Sequence, residues 1–134
     1  MALLVPDEGE VEMLKRIMGV SVAENLSLKL YTNAATIAEG NTSAAFTECA
    51  TSGYAAITLT AGGGWTCSTA TGTSSATYAQ QTFTFTATTS PSVRGYYIVG
   101  ATSAKVYWAE ELYASGQVFN NTDTLKITPK LELA

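Results

Sequence analysis

Residues 78–86, Tyr-Ala-Gln-Gln-Thr-Phe-Thr-Phe-Thr, alternate between two kinds of side chain, and this alternation decides the fold class. In an extended chain Gln81, Phe83 and Phe85 share one face, whereas the threonines between them share the other. A strand with one buried face has this pattern. We therefore expect both phenylalanine rings in a core and the threonines on the outside.

The same period of two recurs along most of the chain and predicts six or seven strands. The further candidates are residues 26–30, 54–60, 65–68, 93–99, 106–112 and 125–133. Pro129 lies on the apolar face of the last segment, and because proline cannot donate a ladder hydrogen bond it predicts an edge strand or a bulge. Short strands with Gly-, Ser- and Asn-containing turns and no helices between them favour an antiparallel β-sandwich, jelly-roll-like or Ig-like.

Two connections are long for a compact domain, namely residues 32–53 and residues 69–77. Connections of such length are usually functional or mobile. We expect both to be loops and to be candidates for contact with a partner.

One amphipathic helix precedes the strands. Asp7 and Glu10 resemble a capping box just after Pro6, and Gly19 is expected to end the helix. The helix carries an apolar stripe at helical spacing, made by Val11, Leu14, Ile17 and Met18. The stripe could pack on the protein's own sandwich or on a neighbouring subunit, and the sequence leaves both interpretations open. The chain thus divides into an N-terminal arm and helix over residues 1–24 and one β-sandwich domain over residues 25–134.

The composition of the 134 residues excludes several classes of function. The chain has 7 Lys+Arg, 11 Asp+Glu and no His, which gives a formal net charge of −4. The basic residues are scattered, so nothing predicts binding to a phosphate backbone. Without histidine the commonest general base and metal ligand is missing, and two distant cysteines do not make a zinc set. We expect no enzyme activity, no catalytic residue, no metal and no cofactor, and no nucleic acid as a partner.

The remaining candidates for chemistry are few. Glu110 and Glu111 are adjacent in a predicted strand, so their carboxylates point to opposite faces and cannot flank one scissile bond. No segment reaches the roughly 18 apolar residues of a membrane span, and residues 1–5 lack the basic start of a secretion signal. We expect a soluble protein without a membrane partner, made in a cytoplasm, in which Cys49 and Cys67 are free, partly buried thiols.

Aromatic residues offer one alternative function. Five rings could form a flat platform for sugar rings, as in carbohydrate-binding β-sandwich modules; they belong to Trp65, Tyr96, Tyr97, Tyr107 and Trp108. Strand alternation places about half of these rings in the core, which weakens this interpretation.

The stretch from residue 49 to residue 93 carries no charged side chain. Threonine-rich, uncharged strands expose edges that invite pairing with other chains. This favours a protein that assembles with copies of itself or with other subunits.

Several segments spread over nearly the whole chain resemble a family of small proteins encoded among the virion genes of tailed bacteriophages. These segments are Met1–Pro6, Gly9-Glu10, Leu14-Lys15, Leu28–Asn33, Ala38–Thr42, Gly53–Ala55, Tyr78–Phe85, Gly95–Tyr97 and Trp108–Glu110. The resemblance implies a non-enzymatic virion protein, namely a capsid decoration or cement protein on the outer capsid surface, synthesised in the host bacterial cytoplasm. Its implied partners are the major capsid protein and further copies of itself, for example in a trimer.

The arm and the first long loop are the expected contact regions of such a protein. The apolar contacts that we predict are Leu3, Leu4, Val5, Val11 and Leu14 in the arm and helix, with Ile37 and Phe46 in the loop. Two alternatives are a tail, neck or fibre-associated virion protein and the carbohydrate-binding module.

Overall fold

Nine β-strands and one α-helix make up the part of the chain that the computed structural model describes, which is residues 4–70 and 72–133. In chain order the elements are α1 (Asp7–Ile17), β1 (Leu26–Tyr31), a 3-10 turn (Ser43–Ala45), β2 (Ile57–Leu59), β3 (Trp65–Ala70), β4 (Thr73–Tyr78), β5 (Gln81–Thr84), β6 (Gly95–Gly100), β7 (Val106–Glu111), β8 (Thr124–Ile127) and β9 (Lys130–Leu133).

The strands form three antiparallel sheets. The largest has the order β2-β1-β6-β7, the second has the order β3-β4-β9, and β5 and β8 form a two-stranded sheet. The predicted class is confirmed: the protein is mainly β and sandwich-like, with one short N-terminal helix.

The main core lies against one face of the four-stranded sheet. Leu28 and Leu30 of β1 and Ile98 of β6 are fully buried in it. Phe83 and Phe85 pack in the same cluster, while Thr82 and Thr84 are exposed, as the alternation in residues 78–86 predicts.

A second, smaller core covers the opposite face of this sheet. Tyr31 and Tyr97 lie in it, together with Phe46 from the connection between β1 and β2. The phenyl ring of Phe46 stacks on Tyr97 with 4.8 Å between ring centroids. Asn33 holds the connection in place, because its side-chain amide donates to the carbonyl of Ala45 at 2.9 Å. The long loop predicted over residues 32–53 therefore folds over the sheet and buries part of it.

The prediction of a loop over residues 69–77 is wrong. β3 and β4 pair antiparallel in a continuous register, with Trp65 opposite Tyr78 and Ala70 opposite Thr73, while Thr71 lies outside the described residues. Threonine and serine are polar, but β-branched threonine fits a pleated strand well, so a Thr/Ser-rich tract can pair as a ladder.

The prediction of one strand over residues 125–133 is also incomplete, because the segment contains two strands in different sheets. β8 pairs with β5, and β9 pairs with β4. The break falls at Thr128 and the fully buried Pro129, which has no amide to donate.

The helix begins and ends close to the predicted residues, but its N-terminus differs in detail. Pro6 is the N-cap and provides no side-chain cap, so the predicted capping box is absent. At the other end Gly19 has a φ of +70°, a left-handed conformation that favours glycine. The amide of Gly19 donates to Arg16 O at 3.1 Å and that of Val20 to Lys15 O at 2.8 Å, a Schellman motif that ends α1.

Candidate functional site

Helix α1 packs on strand β7 through an unusually close backbone contact at Gly9. A Cβ atom at residue 9 would lie 2.5 Å from the carbonyl oxygen of Val106 and 2.8 Å from that of Tyr107. Only glycine allows this approach without a shift of the helix. Gly9 therefore determines which side of α1 faces the sheet.

Charged residues on the same side of the helix bond to the end of β7. Glu8 accepts a hydrogen bond from the amide of Val106 at 2.7 Å and pairs with Lys105 at 3.3 Å. Glu12 is only 8% exposed, and its carboxylate accepts from Lys15 Nζ at 2.8 Å. The side of α1 that faces the sheet thus carries charged groups, together with Met13, which is partly buried against the main core.

Arg16 fastens the last turn of the helix to the sandwich. Its Nε donates to the hydroxyl of Tyr107 at 2.6 Å, and its guanidinium lies 5.5 Å from the centroid of that ring. Nη2 of Arg16 is 2.5 Å from Oε1 of Glu24. The contact with Tyr107 joins residues 91 positions apart, and both contacts restrain the rotation of α1 about its axis.

Glu24 connects this arrangement to the turn after β6. Its carboxylate accepts from the amides of Thr102 and Ser103 at 2.6 and 2.9 Å and from Ser103 Oγ at 2.6 Å. Burial by itself raises the pKa of Glu24, but the hydrogen bonds from Ser103 and Thr102 and the charge of Arg16 outweigh burial and leave the pKa below its usual value. The carboxylate is therefore ionised at neutral pH and holds the helix segment against the sandwich.

Because the polar side of α1 faces the sheet, its apolar stripe faces solvent. At 3.6 residues per turn, Val11, Leu14 and Met18 lie opposite Gly9 on the helix. Six of the seven large apolar side chains that the described part of the chain leaves exposed belong to residues 11–22. We call them the helix patch: Val11 (49% exposed), Leu14 (60%), Ile17 (79%), Met18 (74%), Val20 (74%) and Val22 (85%).

A groove of about 500 Å³ adjoins the helix patch. It lies between the segment after α1 and the turn at residues 101–103, and Val22 and Ser21 line it. The hydroxyl of Ser21 is buried and has no hydrogen-bond partner among the described residues.

The arm is part of the sandwich edge. Leu3 lies outside the described residues. The amide of Leu4 donates to Ala109 O at 3.3 Å, and the amide of Ala109 donates to Leu4 O at 3.1 Å, so the arm pairs with the outer edge of β7. Val5 is partly buried against the main core. These two residues bind the chain's own sheet and core.

The other predicted contact residues divide into two groups. Val11 and Leu14 are exposed members of the helix patch. Ile37 packs, partly buried, against the second core, and Phe46 is only 6% exposed within that core. Phe46 therefore shapes the loop and has little surface for direct contact with a partner.

Sequence reasoning did not select Ile17, Met18, Val20 and Val22 as contacts, although Ile17 and Met18 belong to the predicted stripe. A useful signal was present at Gly9, because a glycine inside a helix often marks close approach of another backbone. Gly9, Glu12 and Arg16 lie on one side of the helix. This grouping indicates that their side packs on another backbone and that the apolar stripe lies on the opposite side.

The aromatic residues considered as a sugar platform do not form an exposed surface. Tyr96, Tyr97, Tyr107 and Trp108 are each at most 4% exposed, and Trp65 is partly buried against the main core. Burial raises the pKa of Tyr97 to about 12, with a smaller contribution from the charge of Glu48. The phenol is therefore neutral at physiological pH and serves as a packing group.

Two carboxylates of the sandwich, those of Glu48 and Glu110, are engaged in structural bonds. Glu110 accepts from the hydroxyl of Tyr96 at 2.7 Å. Glu48 pairs with Lys29 at 2.8 Å and accepts from the hydroxyl of Tyr54 at 2.9 Å. Within residues 4–70 and 72–133, no group of three or more cysteine, aspartate or glutamate side chains could hold a metal ion. Both cysteines are free, with Cys49 buried and Cys67 exposed.

No helix in the described ranges is long and apolar enough to cross a membrane. Comparison of the chain with protein-family models, with curated proteins and with solved structures finds no match. The helix patch, with the groove beside it, is therefore the candidate site on the strength of its geometry alone.

Proposed function

We propose that this protein is a non-enzymatic structural component that decorates a bacteriophage capsid by binding the lattice of the major capsid protein through the helix patch. The observation that carries this proposal is the outward orientation of the apolar stripe on α1. Large exposed apolar patches on soluble proteins usually mark interaction sites. The side of the helix that faces the sheet instead holds Gly9, Glu12 and Arg16, together with the partly buried Met13.

The spacing of the patch fits a helix lying in a groove of its partner. Val11, Leu14 and Met18 stand at positions i, i+3 and i+7, which is the pattern of helix-in-groove recognition. Burying one such side chain fully is worth about 1.5–3 kcal/mol. Against an association cost of at least about 4 kcal/mol, one patch gives only modest affinity.

A repeated lattice suits such a contact. A protein that binds only the assembled shell stabilises it by mass action, and many weak contacts act together on one particle. The formal net charge of −4 also disfavours capture by the nucleic acid inside the shell. The proposed location is accordingly the outer capsid surface.

The proposal is tested by mixing the purified protein with undecorated capsids assembled from the major capsid protein encoded in the same genome. Electron microscopy should show regular density over the shell, with α1 at the contact. Copy number per particle, measured by quantitative gel densitometry, separates decoration from a tail, neck or fibre position, because only decoration requires hundreds of copies.

Leu14→Lys and Ile17→Lys test the site itself. Lysine is a good helix former, and a cation near the helix C-terminus is compatible with the helix dipole, so neither change should unfold the protein. Each should weaken capsid binding about tenfold or more, because an ammonium group would have to be buried in an apolar contact.

Val118→Lys is the matched control. Val118 is also exposed, at 46%, but lies outside the helix patch. The control should bind like the wild-type protein. The proposal is refuted if capsids mixed with the wild-type protein show no added density. It is also refuted if Leu14→Lys, Ile17→Lys and Val118→Lys bind equally well.

A further inference from the structure

The edges of the three sheets differ in how they are protected. An edge strand presents unpaired amide and carbonyl groups, and natural proteins cover such an edge, shorten it or place charges and prolines on it. The edge at β7 is covered by Leu4 and by α1. The edge at β2 is only three residues long.

The smaller sheets contain further protected edges. β9 follows Pro129 and carries Lys130 and Glu132. β8 carries Lys126. β5 has only four residues, and just after it the amide of Thr86 donates to Ser52 O at 3.0 Å.

Strand β3 has none of these protections. It has six residues, Trp-Thr-Cys-Ser-Thr-Ala, without charge, proline or glycine. It pairs with β4 through a continuous register without a bulge, and no other described strand lies on its outer side. Alternate residues of an antiparallel strand direct their backbone groups away from the partner, so three amides and three carbonyls of β3 point outward.

We propose that the outer edge of β3 is a self-association site, at which β3 of one copy pairs antiparallel with β3 of a second copy. The pairing would join two three-stranded sheets into one sheet of six strands, related by a two-fold axis perpendicular to the sheet. This inference is independent of the helix patch and of the capsid as a partner.

The charge distribution favours a second copy as the occupant. Two chains of net charge −4 repel each other, but β3 lies within residues 49–93, which carry no charge. The nearest charges within the sheet are on β9, beyond β4, where Lys130 and Glu132 form an ion pair with each other. The two copies therefore meet at the part of the molecule where repulsion is smallest.

The side chains of β3 are also self-complementary. In an antiparallel pair, residues opposite each other have their side chains on the same face of the sheet. The two-fold axis therefore passes midway between the two copies of one residue, which lie opposite each other. If the axis lies between the two copies of Cys67, residues 65–69 of each strand pair with the partner strand. If it lies between the two copies of Ser68, residues 66–70 pair. In both registers threonine and serine side chains lie opposite uncharged groups, and Thr and Ser pairs stabilise neighbouring strands.

Either register brings the two Cys67 residues to within about 5–8 Å of each other. Cys67 is exposed, whereas Cys49 is buried. A short bis-maleimide crosslinker should therefore join two chains through Cys67 alone. Cys67→Ser should abolish the crosslink without abolishing the dimer.

Sedimentation of the purified full chain over a concentration series measures the association directly. The mass should rise from 14.0 kDa toward twice that value as concentration increases. Ser68→Lys should weaken association at least about tenfold, because it places two lysines beside each other across the new pair. Ser75→Lys is the matched control, since Ser75 is the β4 partner of Ser68 and lies one strand further from the edge.

Circular dichroism and thermal melting of both variants show whether they fold alike. A wild-type chain that stays monomeric at about 1 mM would overturn the inference. A dimer that Ser68→Lys leaves intact, or that Ser75→Lys disrupts equally, would also overturn it. Because Leu14→Lys does not touch β3, it should leave the dimer unchanged even if it abolishes capsid binding, so the two proposals can fail separately.

Discussion

Replacing Gly9 by alanine separates two opposing effects on the stability of this protein. Inside an isolated helix, alanine is more favourable than glycine by about 1 kcal/mol. In the folded protein, however, the new Cβ would lie 2.5 Å from Val106 O and 2.8 Å from Tyr107 O. Both are backbone atoms of a paired strand, so they cannot turn aside as a flexible side chain could.

The steric effect should exceed the gain in helix propensity. Inserting a methyl group into a well-packed contact costs about 1–3 kcal/mol. Here the helix must move away from β7, which also lengthens the bonds of Glu8 and Arg16 to that strand. The steric cost and the weakened bonds, less the gain of about 1 kcal/mol in helix propensity, should together lower the free energy of unfolding of Gly9→Ala by about 1–2 kcal/mol. For a chain of this length, that corresponds to a fall in Tm of roughly 3–8 °C.

Thermal unfolding followed by circular dichroism measures this effect, with Gly40→Ala as the control. A Cβ at residue 40 meets no atom within 4 Å, so the control should change Tm little or raise it slightly. A higher Tm for Gly9→Ala than for the wild-type protein would show that helix propensity dominates. The close packing of α1 on β7, and with it the outward orientation of the helix patch, would then be wrong.

Two further predictions concern the contacts that hold the helix and the first long loop. The pKa of Glu24 is lower in the folded chain than in the unfolded chain, so its contribution to stability is present above the unfolded pKa and is lost as the pH falls through the folded pKa. Glu24→Gln should therefore lower stability at pH 7 and flatten its decline in acid, as measured by urea unfolding at several pH values; an unchanged decline would contradict this role. Phe46→Ala should cost about 3–5 kcal/mol, because the ring is buried between Tyr31 and Tyr97. Urea unfolding measures that cost, and a loss below about 1 kcal/mol would mean that the loop does not depend on the second core.

The strand periodicity and the helix could be predicted from the sequence, because both depend on neighbours along the chain. Alternation in residues 78–86 places Phe83 and Phe85 on one face of a strand, and their apolar rings favour the buried side. Gly19 ends the helix for an equally local reason, the left-handed backbone conformation that glycine adopts easily. The pairing of β3 with β4 was missed because Thr/Ser-rich strands and loops have similar compositions.

The orientation of α1 was decided by tertiary structure. An apolar stripe alone predicts burial, but Arg16 bonds to Tyr107, a residue 91 positions away, and Glu24 bonds to the turn at Thr102 and Ser103. Only the folded sheet brings these groups together and places the carbonyls of β7 against Gly9. The sequence by itself thus determined that this protein has an amphipathic helix followed by a β-sandwich. Long-range polar contacts decided that the apolar face of that helix is exposed, and the strand order of the second sheet decided that the uncharged β3 lies at its edge.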